Sequence, residues 1–373
     1  MTLFLAISGL ILAAIPAAMF MANLPLFQSR FLETELEPAD QCISVLVPAR
    51  DEESSIERCV AAALASESVN VQVVILDDHS TDATGQIVQR LQANDDRVSY
   101  LLGNDLPDGW NGKQYACKQL ADAALHDQFV FIDADVRLKP HALRELLVRK
   151  STTNVALLSA FPHQETGTIL EKWLIPMMHF ILLGYLPFQR MRGSDHPSYA
   201  SGCGQLFLTN RNDYVTAGTH AAIAQSRHDG LKLPRAYRSK GLMTDVIDGT
   251  DLAECRMYNS AGQVIRGVMK NADEAIASPR LIVPFSILLL GSSVLPLAML
   301  LVGFKTGEPV VVLIALLGIL LGHLPRAISA VRFRQSWLGV LCHSPATTLF
   351  VALQWIALAM SIAGRKVRWR GRS

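Results

Sequence analysis

Two carboxylates spaced two residues apart, Asp133 and Asp135, close the short apolar run Phe129-Val130-Phe131-Ile132. The run is β-branched and aromatic, which reads as a buried strand. In extended backbone, residues two apart point to the same side, so the spacing predicts two acids side by side at a strand's carboxyl end. Such charges repel unless a divalent cation or a polar ligand is shared between them. Oxygen donors suit Mg²⁺ or Mn²⁺, and Mg²⁺ usually binds through one or two carboxylates plus substrate phosphates. The alternative for the same residues is an Asp-rich strand-to-helix turn with a capping role. A second acidic pair, Asp77-Asp78, closes another apolar run, and Pro48-Ala49-Arg50-Asp51-Glu52 follows a third. For Asp77 and Asp78, helix capping beside Ser80 and Thr81 is likewise open.

Bringing these groups together needs a particular scaffold. Cys42 to Val47 reads as a buried strand ending at Pro48, and Glu53 to Ser66 has helical spacing at Ile56, Val60 and Leu64. Val71 to Leu76 is the next strand, followed by a helix to about Leu91 and a third strand, Val98 to Leu102. Lys113 to Leu125 reads as a helix before the Asp133 strand, and Val155 to Phe161 as a further strand. This alternation predicts an α/β fold with right-handed crossovers and a mostly parallel sheet. Parallel strand ends open onto one crevice, so the three acidic runs are expected along one edge. That edge could hydrogen-bond a base and ribose and hold a metal-bound diphosphate. No Gly-x-Gly-x-x-Gly follows the first strand and no Gly-Lys-Ser/Thr occurs, which disfavours Rossmann and P-loop sites.

The 373-residue chain is 50% hydrophobic and only 18% charged, with a net charge of +1 and a mean hydropathy of +0.26. It is too apolar for a purely soluble enzyme and too charged in its middle for a polytopic transporter. Near-zero net charge argues against a nucleic-acid partner. Six cysteines are scattered without a Cys-x-x-Cys pair, which predicts reduced, buried thiols.

Leu3 to Phe27 carries no charge and is long enough to cross a bilayer. A cleaved signal peptide competes with this reading, but no Lys or Arg precedes the apolar core. A retained anchor over residues 1–28 is expected, with Arg30 placing the following chain on the cytoplasmic side. Residues 40–278 then form the α/β domain, facing the cytoplasm from an integral position in the cytoplasmic (inner) membrane. Residues 279–373 form a membrane domain with a basic tail and three apolar stretches: Leu281 to Phe304, Pro309 to Val331, and Leu338 to Ala363. Lys305-Thr306-Gly307-Glu308 is a turn-sized break, which predicts a hairpin of the first two. The third is open between a span and a re-entrant segment broken near His343-Ser344-Pro345. The apolar stretch from Trp173 to Phe188 is open between an interfacial rim and a buried helix.

Three elements now stand in order: Val47-Pro48-Ala49-Arg50-Asp51-Glu52, Leu76-Asp77-Asp78-His79-Ser80-Thr81-Asp82, and Asp133-Ala134-Asp135. Over Ser44 to Asn271 the chain resembles inverting, nucleotide-sugar-dependent glycosyltransferases of family 2, with the GT-A fold. Gly109-Trp110-Asn111-Gly112-Lys113, Gly202-Cys203-Gly204-Gln205 and Arg256-Met257-Tyr258 are similar to its membrane-anchored branch, which includes hopene-associated and carotenoid glycosyltransferases. The resemblance implies a nucleoside-diphosphate-sugar donor, Mg²⁺ or Mn²⁺ as cofactor, and a lipid acceptor such as a hopanoid, carotenoid or other polyprenoid-like molecule. On that resemblance Pro48, Asp51, Glu52 and Asp78, with Asp77 beside them, line the nucleoside site. Asp133 and Asp135 are the diphosphate and metal acids, Asp135 the direct ligand, and Lys113 balances the diphosphate charge.

Family members often carry Glu-Asp before the helix that follows the acceptor site; here Arg227-His228-Asp229-Gly230 stands in that place. Asp229 is therefore the expected base, with His228, an imidazole suited to the same work, as the alternative. Gln263-Val264-Ile265-Arg266 keeps part of the Gln-x-x-Arg-Trp of processive synthases, but Gly267-Val268 follow, which argues against a polysaccharide synthase. A noncatalytic nucleotide-sugar-binding scaffold is the rival from another class. A transporter component is disfavoured by the scarcity of charge within the apolar stretches.

Overall fold

The computed structural model describes residues 1–28, 41–270, 272–274 and 276–364. Arg30 and the basic tail from Arg365, which the topology reading used, lie outside the described residues. Helices α1 to α5 are Thr2–Phe27, Ile56–Leu64, Thr84–Asn94, Gly112–Ala123 and Ala142–Thr153. Helices α6 to α10 are Ile169–Leu174, Met177–Tyr185, Phe188–Gly193, Arg211–Thr216 and Asp229–Arg238. Helices α11 to α16 are Ala261–Lys270, Ile282–Ser293, Leu295–Thr306, Pro309–Arg332, Trp337–Leu341 and His343–Ile362. Strands β1 to β4 are Cys42–Ala49, Asn70–Asp77, Val98–Leu102 and Gln128–Ile132. Strands β5 to β8 are Val136–Leu138, Leu157–Gln164, Leu206–Asn210 and Thr244–Cys255.

Two compact units divide the chain. The helical unit takes Met1–Leu26, Thr166–Phe188 and the segment from Tyr258 onward; the sheet unit takes Phe27–Glu165 and Gln189–Met257. The block expected over residues 40–278 thus contributes to both.

In the sheet unit, eight strands run in the order β3-β2-β1-β4-β7-β6-β8-β5. β3, β2, β1 and β4 are mutually parallel, as the alternating pattern predicts. Their side chains alternate between two cores, as a period of two requires. Val45 and Val47 join Ile56, Val60 and Leu143 on one face. Leu46 joins Phe129, Leu120 and Tyr237 on the other. With both faces covered, the strands read as continuous apolar runs. β1 does not stop at Pro48 as expected; it extends to Ala49, whose carbonyl accepts from Asp78 N at 2.8 Å. β7 enters antiparallel between β4 and β6, and sequence periodicity did not reveal it or β8.

The Asp133 strand also needs correction. β4 ends at Ile132, and Asp133 to Asp135 form a turn in which Val136 N donates to Asp133 O at 3.0 Å. The chain turns here because it leaves β4 for β5, which pairs with β8 instead. The two acids are therefore neighbours through a turn, not through strand alternation.

In the helical unit, α1, α14 and α16 are long and apolar enough to cross a membrane. The stretch Leu281 to Phe304 is not one helix: α12 and α13 meet at a 47° bend. Pro296 opens α13 there and removes a backbone donor. The hairpin between α13 and α14 is present, closed by Gly307 in the left-handed region at φ 68°. The third stretch breaks at Cys342 into α15 and α16. Within Trp173 to Phe188, Met177 and Phe180 are buried against Leu289 and Val351, so α7 is a buried helix and not a rim.

Under β4, His220 stacks edge-on against Phe131 at 4.8 Å. The Tyr214 hydroxyl accepts from the His220 amide at 3.1 Å and lies 2.7 Å from Nδ1, so its own proton goes to that nitrogen. Burial pushes this imidazole down to about 3. Below the ordinary histidine range the unfolded chain takes up a proton that the folded one refuses, so stability falls as pH drops from about 6.5 and levels off near the folded value. The expected loss is roughly 1 kcal/mol per pH unit below about 6. Thermal unfolding of the full chain in neutral detergent, from neutral pH into the acid range, should show this slope flattened in His220→Gln. An unchanged slope would assign the acid lability to other groups.

Candidate active site

The carboxyl ends of β1, β2 and β4 share one edge of the sheet, and the predicted acids gather there. Two loops are stitched together at its outer part. Asp51 takes a left-handed backbone at φ 52°. Its Oδ1 accepts from Thr81 N at 2.7 Å and Thr81 Oγ1 at 3.1 Å. Glu52 N donates to Thr84 Oγ1 at 2.8 Å. Pro48 lies directly before these loops, in register with Leu76.

Asp77 and Asp78 are both buried but differ in use. Asp77 Oδ1 accepts from Ser80 N at 2.8 Å and Oδ2 from the Tyr100 hydroxyl at 3.3 Å, so its carboxylate is taken up by the turn. Asp78 faces Arg50, whose Nη1 lies 3.6 Å from Oδ2 and donates to Asp78 O at 2.5 Å. Sequence reasoning passed over Arg50, although it stands inside the run read for its acids.

The centre of the edge is Lys113. Asn111 caps α4 by accepting from Lys113 N at 3.2 Å, which fixes the lysine in the first helical turn. Its ammonium has three protons and three acceptors. They are Asp133 Oδ1 at 2.5 Å, Asp229 Oδ2 at 2.8 Å and Gly204 O at 3.3 Å. Burial works against the charge, but Asp133 and Asp229 hold Lys113 well above the usual lysine range. Asp229 opens α10; His228 precedes it at the cap position and makes no side-chain capping bond. Asp229, not His228, is the member of that pair brought to Lys113.

Asp135 sits beside this chain of charges. Its Oδ1 is buried with no hydrogen-bond partner among the described residues. Burial, then Asp133 and Glu52, push its carboxyl up to about 7. Among the described residues no cluster of three or more His, Cys, Asp or Glu could hold a metal by itself. A buried orphan oxygen next to a second carboxylate fits a hard cation whose remaining ligands are phosphate oxygens. Gln205 was not singled out as a site residue, yet its carbonyl accepts from Asp133 N at 3.3 Å. Its amide bridges Gln164 and Cys255 at 2.7 Å each.

Gly204 explains one part of the Gly-Cys-Gly-Gln run. A Cβ there would collide with Asp229 Oδ1 and lie 2.6 Å from its Cγ, so only glycine lets α10 approach. The model of "Glycosyl transferase family 2" matches residues 44–215. These residues form a family 2 glycosyltransferase domain. The domain's curated relatives include the "4,4'-diaponeurosporenoate glycosyltransferase" of Staphylococcus haemolyticus, 28% identical over 59% of this chain and 58% of that protein. The protein of the same name from Staphylococcus aureus is 26% identical over 61% of this chain and 59% of its own length. The matches thus span under three fifths of those relatives. Among solved structures, the mannosyltransferase PcManGT from Pyrobaculum calidifontis, in complex with GDP-Man and Mn²⁺, is similar at a TM-score of 0.55. It shares 14% identity, with 97% of this chain and 100% of that one covered. The likeness establishes a GT-A-like fold for the glycosyltransferase domain.

Gly204→Ala should therefore destabilise the domain by about 1–3 kcal/mol, the usual range for overpacking. Gly193, whose Cβ would meet nothing within 4 Å, is the control, and Gly193→Ala should leave the melting temperature unchanged or slightly raised. Equal melting temperatures for the two variants would contradict the close approach of Asp229.

Proposed function

We propose that this chain is an inverting glycosyltransferase that moves a sugar from a nucleoside-diphosphate donor to the hydroxyl of a membrane-associated acceptor. The observation that carries the reading is the chain Asp133–Lys113–Asp229 at the strand-end edge of a family 2 domain. In this reading Pro48, Asp51, Glu52 and Asp78 border the nucleoside, with Asp77 holding their turn. Lys113 meets the diphosphate as a compact point charge. Asp135 and Asp133 would hold Mg²⁺ or Mn²⁺, which supplies positive charge to the leaving diphosphate.

Asp229 is the base. An ammonium 2.8 Å from Oδ2 competes with an acceptor proton for that oxygen, while Oδ1 accepts from Gly230 N at 2.8 Å. Turning Lys113 toward a diphosphate uncovers Oδ2. Asp229 then removes the acceptor proton, the acceptor oxygen bonds to the anomeric carbon, and the bond to the diphosphate breaks. One displacement without a covalent enzyme intermediate inverts that carbon.

A membrane acceptor is supported by the three helices apolar enough to cross a bilayer. The staphylococcal relatives' name points the same way, toward a carotenoid-type acceptor. The domain is assigned to the cytoplasmic face, where nucleotide sugars are made.

Detergent-solubilised full chain, offered a panel of labelled nucleotide sugars and membrane lipid extract, should transfer label to lipid. EDTA should abolish transfer and Mn²⁺ or Mg²⁺ restore it; full transfer by chelated protein would remove the metal from the reading. Asp229→Asn should retain nucleotide binding and lose about 10²–10⁴ in rate, the usual worth of a general base. Near-full transfer by that variant, with loss in His228→Ala, would move the base to His228.

A further inference from the structure

The helical unit contains a buried charge with no counter-ion among the described residues. Arg326 on α14 is 1% exposed. Its Nη2 donates to Gly339 O at 3.0 Å, but Nε and Nη1 have no hydrogen-bond partner among the described residues. No described carboxylate forms an ion pair with it; in the same unit Glu171 closes the capping box of α6 and Glu308 accepts from the Thr2 hydroxyl. An unpaired buried guanidinium costs several kcal/mol, and in a membrane segment it marks a functional site.

Two neighbouring polar groups share the condition. Ser329 lies one turn along the same face of α14, and its buried hydroxyl has no partner among the described residues. His343, at the start of α16, is fully buried, and its Nε2 has none either. Thr347 Oγ1 lies 3.5 Å from His343 Nδ1. The His343 ring lies 5.3 Å, centroid to centroid, from that of His323, one turn before Arg326 on α14. Three donor atoms of α14 thus lack acceptors among the described residues, with the His343 ring of α16 beside them, and the guanidinium nitrogens and hydroxyl suit an oxyanion.

The cover over the guanidinium is α15. A Cβ on Gly339 would collide with Lys172 O and lie 2.7 Å from Arg326 Nη2, so a glycine is required there. On its other side α15 exposes Trp337, Leu338 and Leu341. Buried unpartnered polar groups beneath a short helix with an apolar outer face match a molecule that is anionic at one end and greasy at the other.

We propose that Arg326, with Ser329 and His343, forms a binding site for the oxyanion head of an amphiphile, a carboxylate or phosphate carried on an apolar tail that lies over α15. The site is argued from the helical unit alone and is independent of the transfer reaction.

The test uses the full chain in neutral detergent without nucleotide sugar, reading melting temperature and direct binding. Oleate and oleoyl lysophosphatidate, which share a tail, separate a carboxylate from a phosphate head; monoolein carries the tail without charge and inorganic phosphate the charge without tail. At least one tailed anion should raise the melting temperature saturably, and neither control should. Arg326→Met replaces an unpaired buried charge by an apolar group of similar length, so it should fold with undiminished stability. Its affinity for the tailed anion should fall about tenfold to a hundredfold, the worth of charge-assisted hydrogen bonds. His343→Gln, which retains a polar group, should weaken binding several-fold and serves if Arg326→Met does not fold. The proposal is overturned if neither tailed anion stabilises the protein, if monoolein or inorganic phosphate matches them, or if both variants bind as the parent does. Loss of binding with transfer intact, or the reverse, separates this site from the transferase reading.

Discussion

The sheet unit depends on one ammonium. Lys113 joins three chain segments at one point: the turn after β4 through Asp133, the start of α10 through Asp229, and the loop before β7 through Gly204 O. Each partner is placed by a separate local device. Asn111 caps α4, the switch from β4 to β5 makes the Asp133 turn, and a glycine at 204 admits Asp229. Losing the ammonium leaves like charges facing each other, because Asp133, Asp135 and Glu52 already crowd the edge. Removing one partner of a buried pair commonly costs about 3–5 kcal/mol. The ion pairs are thus as much a fold constraint as a chemical one.

What could be read beforehand follows the same physics. β1, β2 and β4 are covered on both faces, so their apolar runs betray them in any context. β8 carries Asp245, Asp248 and Asp251 and a glycine at 249, which no strand pattern favours. The strand tolerates Asp245 because this acid finds distant partners, Arg192 at 2.9 Å and Arg149 at 3.6 Å. Such pairings are tertiary, and residue spacing does not carry them. The acids at 133 and 135 were recognised as neighbours, but strand alternation was the wrong reason. Lys113 and Asp229 reached the site through resemblance; nothing in their spacing, 116 positions apart, says that they touch.

The helical unit was legible in mass and not in detail. Apolar length predicts helices in a bilayer, yet it is silent on where they break. Pro296 and Gly307 mark two of the breaks and were visible as residues. The burial of α7 was left open because an all-apolar segment lacks a polar face to orient it. In the sequence Arg326 is only a charge near the end of an apolar stretch. Burial, which sequence does not give, turns the same residue into a group that needs a partner.

Under the proposed function, the charges at the edge also impose an order. Lys113 satisfies both Asp133 and Asp229, and moving it away from partly buried acids without compensation is unfavourable by several kcal/mol. A neutral acceptor hydroxyl offers no such compensation. A diphosphate does, because it brings at least as much negative charge as the lysine leaves behind. Donor binding must then precede proton removal: the same move that gives Lys113 to the diphosphate uncovers Asp229 Oδ2. An acceptor arriving first meets a carboxylate already occupied. The ion pair thereby protects against premature proton transfer, and it does so with a side chain that the donor itself recruits.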